Sequence, residues 1–348
     1  MNHRITRRQA ALGLTSLGLV ATGRPRDARA DLATLETAAR KEATLTWYIA
    51  QVDAETAEAL ARAFTKDHPG ITVSVIRTTG QVAYQRLSLD IKNHTPQCDV
   101  FSTTDISHMP VLKEKHELTE YVPENAAFVA PAFKALADPG FSYVSNASRH
   151  FLIYHKGQLT PEQAPKAWTD MLDPRFKGRV ATGHPAFSGC TGVWALTMRK
   201  LYGWEFFEKL AKNNPRIGRS GVDPVTLISA GEALIGVGPA NVSYANADKG
   251  NPIGVQIPTD GLAMCVTPSA IPAHAPHPAA ARLFMEWLLS EHYSQLIAAD
   301  GSEPVRVGVA TRPGMPSIDG LKVISLTVDE IRKGVPEVIE AWRDTFGN

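Results

Sequence analysis

Hydrophobic and polar positions follow two periods along this chain. Leu45, Trp47 and Ile49 alternate with their neighbours and predict a strand over 44–49. From Glu55 to Lys66 the apolar positions Ala57, Leu60, Ala61 and Phe64 recur three and four apart, the spacing of an amphipathic helix, and His68-Pro69-Gly70 stops it. Ile71, Val73 and Val75 alternate again. A second helix is predicted over 80–93, with Ala83, Leu87 and Ile91 on one stripe and Pro96 beyond its end. Asp99-Val100-Phe101 reads as a short buried strand, and Asp105 opens a third helix toward His116. Farther along, 191–201 and 204–213 are helical. Asp223-Pro224 supplies a cap and an N1 proline for a helix ending near Gly231. A strand over 233–237 and a short helix over 241–248 follow, and Pro278 opens an apolar helix through Ala281, Phe284, Met285, Leu288 and Leu289. Strand and helix in turn argue for an α/β protein whose mostly parallel sheets are covered on both faces.

The first thirty residues do not belong to that pattern. Arg4, Arg7 and Arg8 precede an apolar run over 10–21, and Ala28-Arg29-Ala30 has the small-residue spacing of a cleavage site. These are the three parts of an export signal, with the mature chain beginning at Asp31. Thr6-Arg7-Arg8-Gln9 fits the twin-arginine form. The run is too short to cross a bilayer. No cysteine precedes Cys98 to carry a lipid at a cleaved N-terminus, so the expected location is the periplasm. Setting this segment aside changes the charge. The whole chain has 36 basic and 35 acidic residues; the first thirty hold six arginines and one aspartate, which leaves 30 against 34, net −4. With no basic run, nucleic acid and anionic membranes are excluded as expected partners. Three cysteines, Cys98, Cys190 and Cys265, allow one disulfide at most, and the sequence does not say whether any two of them pair.

Candidate chemistry gathers where strands end. Thr78-Thr79-Gly80, Ser102-Thr103-Thr104-Asp105, Phe187-Ser188-Gly189-Cys190 and Pro239-Ala240-Asn241 are small or hydroxylic turns, each before a predicted helix. Helix N-termini leave backbone N–H groups unsatisfied at the positive end of the dipole, and several around one cleft would hold an oxyanion. Ordinary capping is the plain alternative for each taken alone. Enzyme signals are thin. Ser188 has Ala186, not glycine, two residues before it, and there is no zinc-protease histidine pair, phosphate-binding loop or dinucleotide fingerprint.

Three stretches carry a family resemblance. The first is Ala167-Trp168-Thr169-Asp170-Met171-Leu172-Asp173-Pro174-Arg175-Phe176-Lys177-Gly178-Arg179. The second is Asn241-Val242-Ser243-Tyr244, with Lys249-Gly250-Asn251-Pro252-Ile253 after it. The third is His277-Pro278-Ala279-Ala280-Ala281-Arg282-Leu283-Phe284, running to Ser290. In order and spacing they resemble the family 1 extracellular solute-binding proteins of ABC importers, in the class of the ferric-ion-binding proteins. The resemblance implies the two-lobed periplasmic-binding-protein fold of type II, with two crossover strands near 148–154 and 262–266 and closure by a hinge. It divides the chain into a signal (1–30), a first lobe (31–147 and 267–315) and a second (148–266 and 316–348). It implies a monomeric periplasmic receptor that takes a small ligand to an ABC permease and catalyses nothing; a periplasmic enzyme on the same fold is the alternative. Tyr48, Thr79, Gly80, Thr103 and Thr104 of the first lobe and Ser188, Gly189, Asn241 and Tyr244 of the second are the expected ligand contacts, with Asp260 near the hinge. Trp47 and Tyr48 offer an aromatic wall, although the alternation of Trp47 with Leu45 and Ile49 suits a strand core. Ferric members of the class commonly place adjacent tyrosines where Ser243-Tyr244 stands, so Tyr244 is the one metal ligand expected if the cargo is Fe(III). No resident cofactor is expected. An organic anion such as a phosphonate, sugar phosphate or carboxylate is the first expectation for the cargo, ahead of Fe(III) held with a synergistic anion.

Overall fold

The computed structural model describes residues 32–347, so the export signal expected over 1–30 lies outside the described residues. The chain runs α1 (Leu32–Glu42), β1 (Thr44–Ile49), α2 (Ala54–Asp67), β2 (Thr72–Arg77), α3 (Gly80–Lys92), β3 (Val100–Ser102), α4 (His108–Glu114) and α5 (Pro131–Lys134). The long strand β4 (Ser142–His155) leads to β5 (Val180–Thr182), α6 (Gly189–Tyr202), α7 (Glu205–Lys212), β6 (Arg216–Ile217), α8 (Asp223–Ser229), β7 (Ile235–Pro239), α9 (Ala240–Asp248) and β8 (Ile253–Gln256). A second long strand, β9 (Leu262–Ala270), returns the chain to α10 (Pro278–Leu288) and α11 (Glu291–Ala299), before β10 (Val323–Ile324) and α12 (Val328–Phe346). None of these helices is long and apolar enough to cross a membrane.

The sheet order is β2-β1-β3-β9-β4-β7-β5-β6. Both wings are parallel: β2, β1 and β3 on one side, β7, β5 and β6 on the other. The centre is not. β9 runs antiparallel to β3 and to β4, and β4 antiparallel to β7. The parallel reading thus holds for each wing, and the two crossing strands join the wings into one continuous sheet. These strands, at 142–155 and 262–270, extend beyond the crossings expected at 148–154 and 262–266.

Local rules account for most elements. Asp53 caps α2 by accepting from the Thr56 amide at 2.8 Å, and Ala57, Leu60, Ala61 and Phe64 are its buried face. Gly70, at φ +95°, makes the tight return to β2 that a side chain would strain. Trp47 is strand core: its indole Nε1 donates to Ser102 Oγ at 2.8 Å. A buried hydroxyl chain continues through Ser269 (2.6 Å) to Ser145 (2.7 Å), stitching β1, β3, β9 and β4 together. α10 packs on α1 within the first wing. α12 opens on a capping box of Thr327 and Glu330, and buries Ile331, Val335, Val338 and Trp342 against α6 and α7 of the second. The helix expected from Asp105 begins only at His108. Asp105 instead accepts from the Ser107 amide at 3.0 Å, a local turn that delays the helix.

Candidate functional site

The wings close on a cleft whose floor is the pair of crossing strands. Residues from both sides line it: Ala50, Gln51, Arg77, Thr79, Gly80 and Thr104 from the first wing, Ser188, Cys190, Ser220, Gly221, Val222 and Pro239 from the second, and Asn146, Ser148, His150 and Thr267 from the floor. The cavity between the wings is about 40 Å³, a few times the roughly 10–15 Å³ that one water needs. A larger hollow of about 280 Å³ lies on the side of the first wing, around Leu87, Ile91, Cys98 and Pro272. It is lined mostly by apolar atoms from one wing, whereas the small cleft lies between the two and gathers buried polar atoms without protein partners, on Gln51, Thr79, Thr104, Asn146 and His150. The cleft is therefore the candidate site.

Closure is tight at one point. A Cβ on Gly189, the first residue of α6, would collide with the Thr104 carbonyl, lying 2.6 Å from its carbon and 2.7 Å from Asp105 Cα. Gly80 at the start of α3 presses on the same residue, with Thr104 Oγ1 2.5 Å from where its Cβ would stand. Glycine is needed at both places because backbone approaches backbone or hydroxyl across them. Two helices of more than a dozen residues each thus begin at the cleft, α3 from the first wing and α6 from the second. Ser188 caps α6 through the Thr191 amide at 3.3 Å, while Thr79 at the cap of α3 makes no side-chain capping bond. Thr79 Oγ1 and Thr104 Oγ1 are buried without a protein partner. Cys190 is joined to Cys265 of β9, pinning the start of α6 to the floor, and Cys98 is a buried free thiol elsewhere.

Arg77 is the formal charge of this lining. It stands at the last position of β2, and its Nε donates to the Val52 carbonyl at 2.9 Å. Burial lowers the guanidinium's pKa, and the carboxylates of Asp53 and Asp223 oppose that shift from a distance. No carboxylate and no phenol line the cleft among the described residues. On the floor His150 is fully buried, and neither ring nitrogen has a protein partner. Burial alone pushes its pKa down to about 4, so the ring is neutral at physiological pH.

Of the residues expected from sequence, Thr79, Gly80, Thr104 and Ser188 meet in the lining, and Gly189 forms the close contact beside it. Asn241 sits just behind, accepting from Ser148 Oγ at 2.9 Å and donating to the Gln51 carbonyl at 3.2 Å, a bridge from the floor and second wing to the first. Four others are elsewhere. Tyr48 faces the opposite side of β1, its hydroxyl donating to Asp90 at 2.7 Å and accepting from Arg86 at 3.0 Å; burial, then Asp90, raise its pKa. The Thr103 hydroxyl is paired with His108 Nδ1 at 2.9 Å within the first wing. Tyr244 packs edge-on against Phe151 under the Arg312 guanidinium, 4.5 Å from its ring, outside the lining. Asp260 accepts from the Trp168 amide at 2.8 Å and from the Tyr202 hydroxyl, as part of the scaffold around the Trp168 motif. Arg77, His150, Asn146, Ser148 and Gln51 were not expected. A visible signal did exist for Arg77, a lone cation closing an alternating strand just before the Thr78-Thr79-Gly80 turn.

The sequence profile of the bacterial extracellular solute-binding proteins matches residues 50–294. An uncharacterized protein of Haemophilus influenzae is 24% identical over 299 residues, 82% of this chain and 86% of that protein. A putative 2-aminoethylphosphonate-binding periplasmic protein of Salmonella typhimurium is 27% identical over 209 residues, 58% of this chain and 56% of that protein. Among solved structures, the periplasmic binding protein AfuA of Actinobacillus pleuropneumoniae, with fructose-6-phosphate bound, superposes with a TM-score of 0.77 at 20% identity, covering 87% of this chain and 98% of AfuA. Iron-bound HitA of Pseudomonas aeruginosa does so with 0.71 at 23% identity, covering 87% and 99%. The fold is that of the two-lobed periplasmic binding proteins, and the wings are its lobes.

Proposed function

The chain belongs to the bacterial extracellular solute-binding proteins, and from that premise we propose that it captures a compact organic anion in the interlobe cleft and delivers it, in the periplasm, to an ABC permease. One observation carries the choice of ligand: Arg77 and two helix N-termini converge on a buried cavity without a carboxylate among its lining residues. A guanidinium pairs with a tetrahedral oxyanion through parallel N–H donors, and the backbone amides at the starts of α3 and α6 add more. The small cavity favours a phosphonate or phosphate ester with a short chain over a sugar phosphate. The name of the Salmonella relative points the same way.

Iron was the competing cargo. A hard Fe(III) ion needs anionic oxygen ligands. Tyr244, the expected phenolate, is packed beneath Arg312 and is held protonated by burial, against the pull of Arg312 and Arg149. The donor set of the cleft suits an anion. Solute capture without turnover is the reading that family membership supports over the enzyme alternative.

The test is calorimetry and thermal shift of the exported form with phosphate, ethylphosphonate, 2-aminoethylphosphonate, glucose-6-phosphate and ferric citrate, followed by recovery of each compound unchanged. A ligand at a hundred times its Kd should stabilise by about 2.7 kcal/mol. Arg77→Met should lower affinity for the anion by roughly a hundredfold, the cost of losing a charge-assisted bidentate pair. An Arg77→Met protein that binds as tightly as wild type would sink the proposal. So would tight iron binding with a phenolate colour, or conversion of the bound compound.

A further inference from the structure

β4 presents alternate residues to the cleft. Asn146, Ser148 and His150 line it, whereas Arg149 between them points to the other face and pairs with Glu303. The three lining side chains are not equivalent. Ser148 Oγ is committed to Asn241. Asn146 uses its Nδ2 on Ser302 Oγ at 3.2 Å, and its Oδ1 is a buried acceptor without a protein partner. His150 has no protein partner at either nitrogen. Its strand neighbours are Pro239 and Ala263, which offer its ring nothing to bond. A buried polar group left unpaired costs free energy comparable to a lost hydrogen bond, so such a group on a cavity wall is a position awaiting a ligand atom.

The two ends of the site differ in kind. Arg77, the α3 and α6 amides and the threonine hydroxyls supply positive charge and donors for the oxyanion. The floor supplies acceptors instead. A neutral imidazole has one N–H donor and one bare nitrogen, and Asn146 adds a carbonyl oxygen. The geometry points to His150, with Asn146, as the specificity-determining residue of the cleft, selecting short-chain phosphonates or phosphate esters that carry an amino or hydroxyl donor beside the oxyanion. The ligand's N–H or O–H donates to the bare nitrogen of His150 and to Asn146 Oδ1, and the imidazole N–H donates to a ligand oxygen. Burial keeps the ring neutral and so keeps that nitrogen open as an acceptor. The cavity of about 40 Å³ limits the chain between the two groups to a few atoms.

This selection rests on the anion reading of the site, and one experiment separates the two. Calorimetry on the exported form compares ethylphosphonate with 2-aminoethylphosphonate and 2-hydroxyethylphosphonate, matched probes that differ in a single donor. Wild type should prefer the donor-bearing probes by at least about tenfold, because a site built to bond an N–H or O–H is left with unpaired groups by the analogue that lacks it. His150→Phe should reduce that preference to within about twofold. His150→Gln, which keeps one donor and one acceptor, should restore part of it and guards against a merely misfolded Phe variant. Equal affinity of wild type for all three probes would overturn the inference while leaving the anion reading intact. The same holds for a His150→Phe protein that keeps the preference. If wild type binds none of the three, this inference falls, and the anion reading falls with it when phosphate and glucose-6-phosphate also fail to bind.

Discussion

Gly189→Ala adds one methyl group at the place where the lobes meet most closely. The new Cβ would stand 2.6 Å from the Thr104 carbonyl carbon and 2.7 Å from Asp105 Cα, while ordinary van der Waals contact begins near 3.4 Å. The Thr104 carbonyl oxygen stands nearer still, so relief requires a separation of about 1 Å, and the obstacle is backbone, which cannot swing aside as a side chain would. Gly189 is the first residue of α6 and has no left-handed φ, so alanine suits its local conformation and raises helix propensity by up to about 1 kcal/mol. If the lobes part about the crossing strands, as the resemblance implies, the cost falls on the closed state alone. Overpacking of this size costs about 1–3 kcal/mol. Borne entirely by closure, it should raise Kd for whichever anion binds wild type by roughly 5- to 150-fold. The melting temperature without ligand should stay within a few degrees of wild type. Calorimetry gives the first quantity, and small-angle scattering should show that ligand no longer contracts the protein as it does wild type. Gly320→Ala, with nothing within 4 Å of its new methyl, serves as control. Wild-type affinity in Gly189→Ala, with normal contraction, would refute closure across Thr104.

Two further outcomes follow from the same floor. His150 titrates near 4 in the folded chain against 6.5 when exposed, so between those values the unfolded chain binds more protons and stability falls as the solution is acidified. Only the neutral Pro239 and Ala263 flank it on the neighbouring strands, and Arg77 is the charge that shares its cavity. Wild type should lose roughly 3 kcal/mol relative to His150→Gln between pH 6.5 and 4, measured by urea denaturation; parallel pH profiles would disprove it. The Cys190–Cys265 bond spans 75 residues, so the double variant Cys190→Ser/Cys265→Ser should lose up to about 4.5 kcal/mol by the chain-entropy estimate. Equal denaturation midpoints for the two proteins would show that the crosslink constrains nothing.

Periodicity made the wings legible. β1 coincides with the expected strand, and α2, α3, α6, α7 and α9 fall within two residues of their expected ends; α2, α3 and α7 each bury one face, whereas α6 is buried nearly all round and α9 only over its first turn, so for these two the flanking stop signals set the bounds. Thr79, Gly80, Thr104 and Ser188, expected from small and hydroxylic turns beside predicted helices, meet in the lining of the cleft. The same rule misplaced Thr103, because Asp105 turns the chain locally and the helix starts three residues later. Tyr48 and Tyr244 were expected in the site on chemistry alone, and which face a side chain takes is settled by pairing. Tyr48 lies beside Ile76 and Phe101, with its hydroxyl on Asp90. The floor was illegible for a related reason. Asn146, Ser148 and His150 sit on a strand buried on both sides, where polar residues show no amphipathic alternation, and a bulge between Val144 and Asn146 resets the register that would have revealed their shared face.

That floor binds recognition to motion. β4 carries the ligand-facing side chains on one face and, on the other, Arg149, whose guanidinium is wholly buried against Glu303 and the Pro316 carbonyl. A buried pair of this kind is costly to break, since either partner alone is an uncompensated charge. It ties the strand to the segment after α11 and resists twisting at that residue. Ser148, on the ligand face, holds Asn241 of α9, and Asn241 in turn holds the Gln51 carbonyl of the first lobe. The disulfide fixes the start of α6 to β9 opposite that serine, since Cys265 is the register partner of Ser148. The strands about which the lobes would hinge are therefore the strands that read the ligand, and every clamp on them lies within one residue of a cleft wall. A ligand that satisfies His150 and Asn146 on the floor while bridging Arg77 to the start of α6 would favour the closed form twice, by filling unpaired groups and by neutralising the charge that closure buries. One that reaches only Arg77 leaves the floor groups unpaired and supplies only the second of these terms, and only interactions that differ between the open and closed states can shift the balance between them.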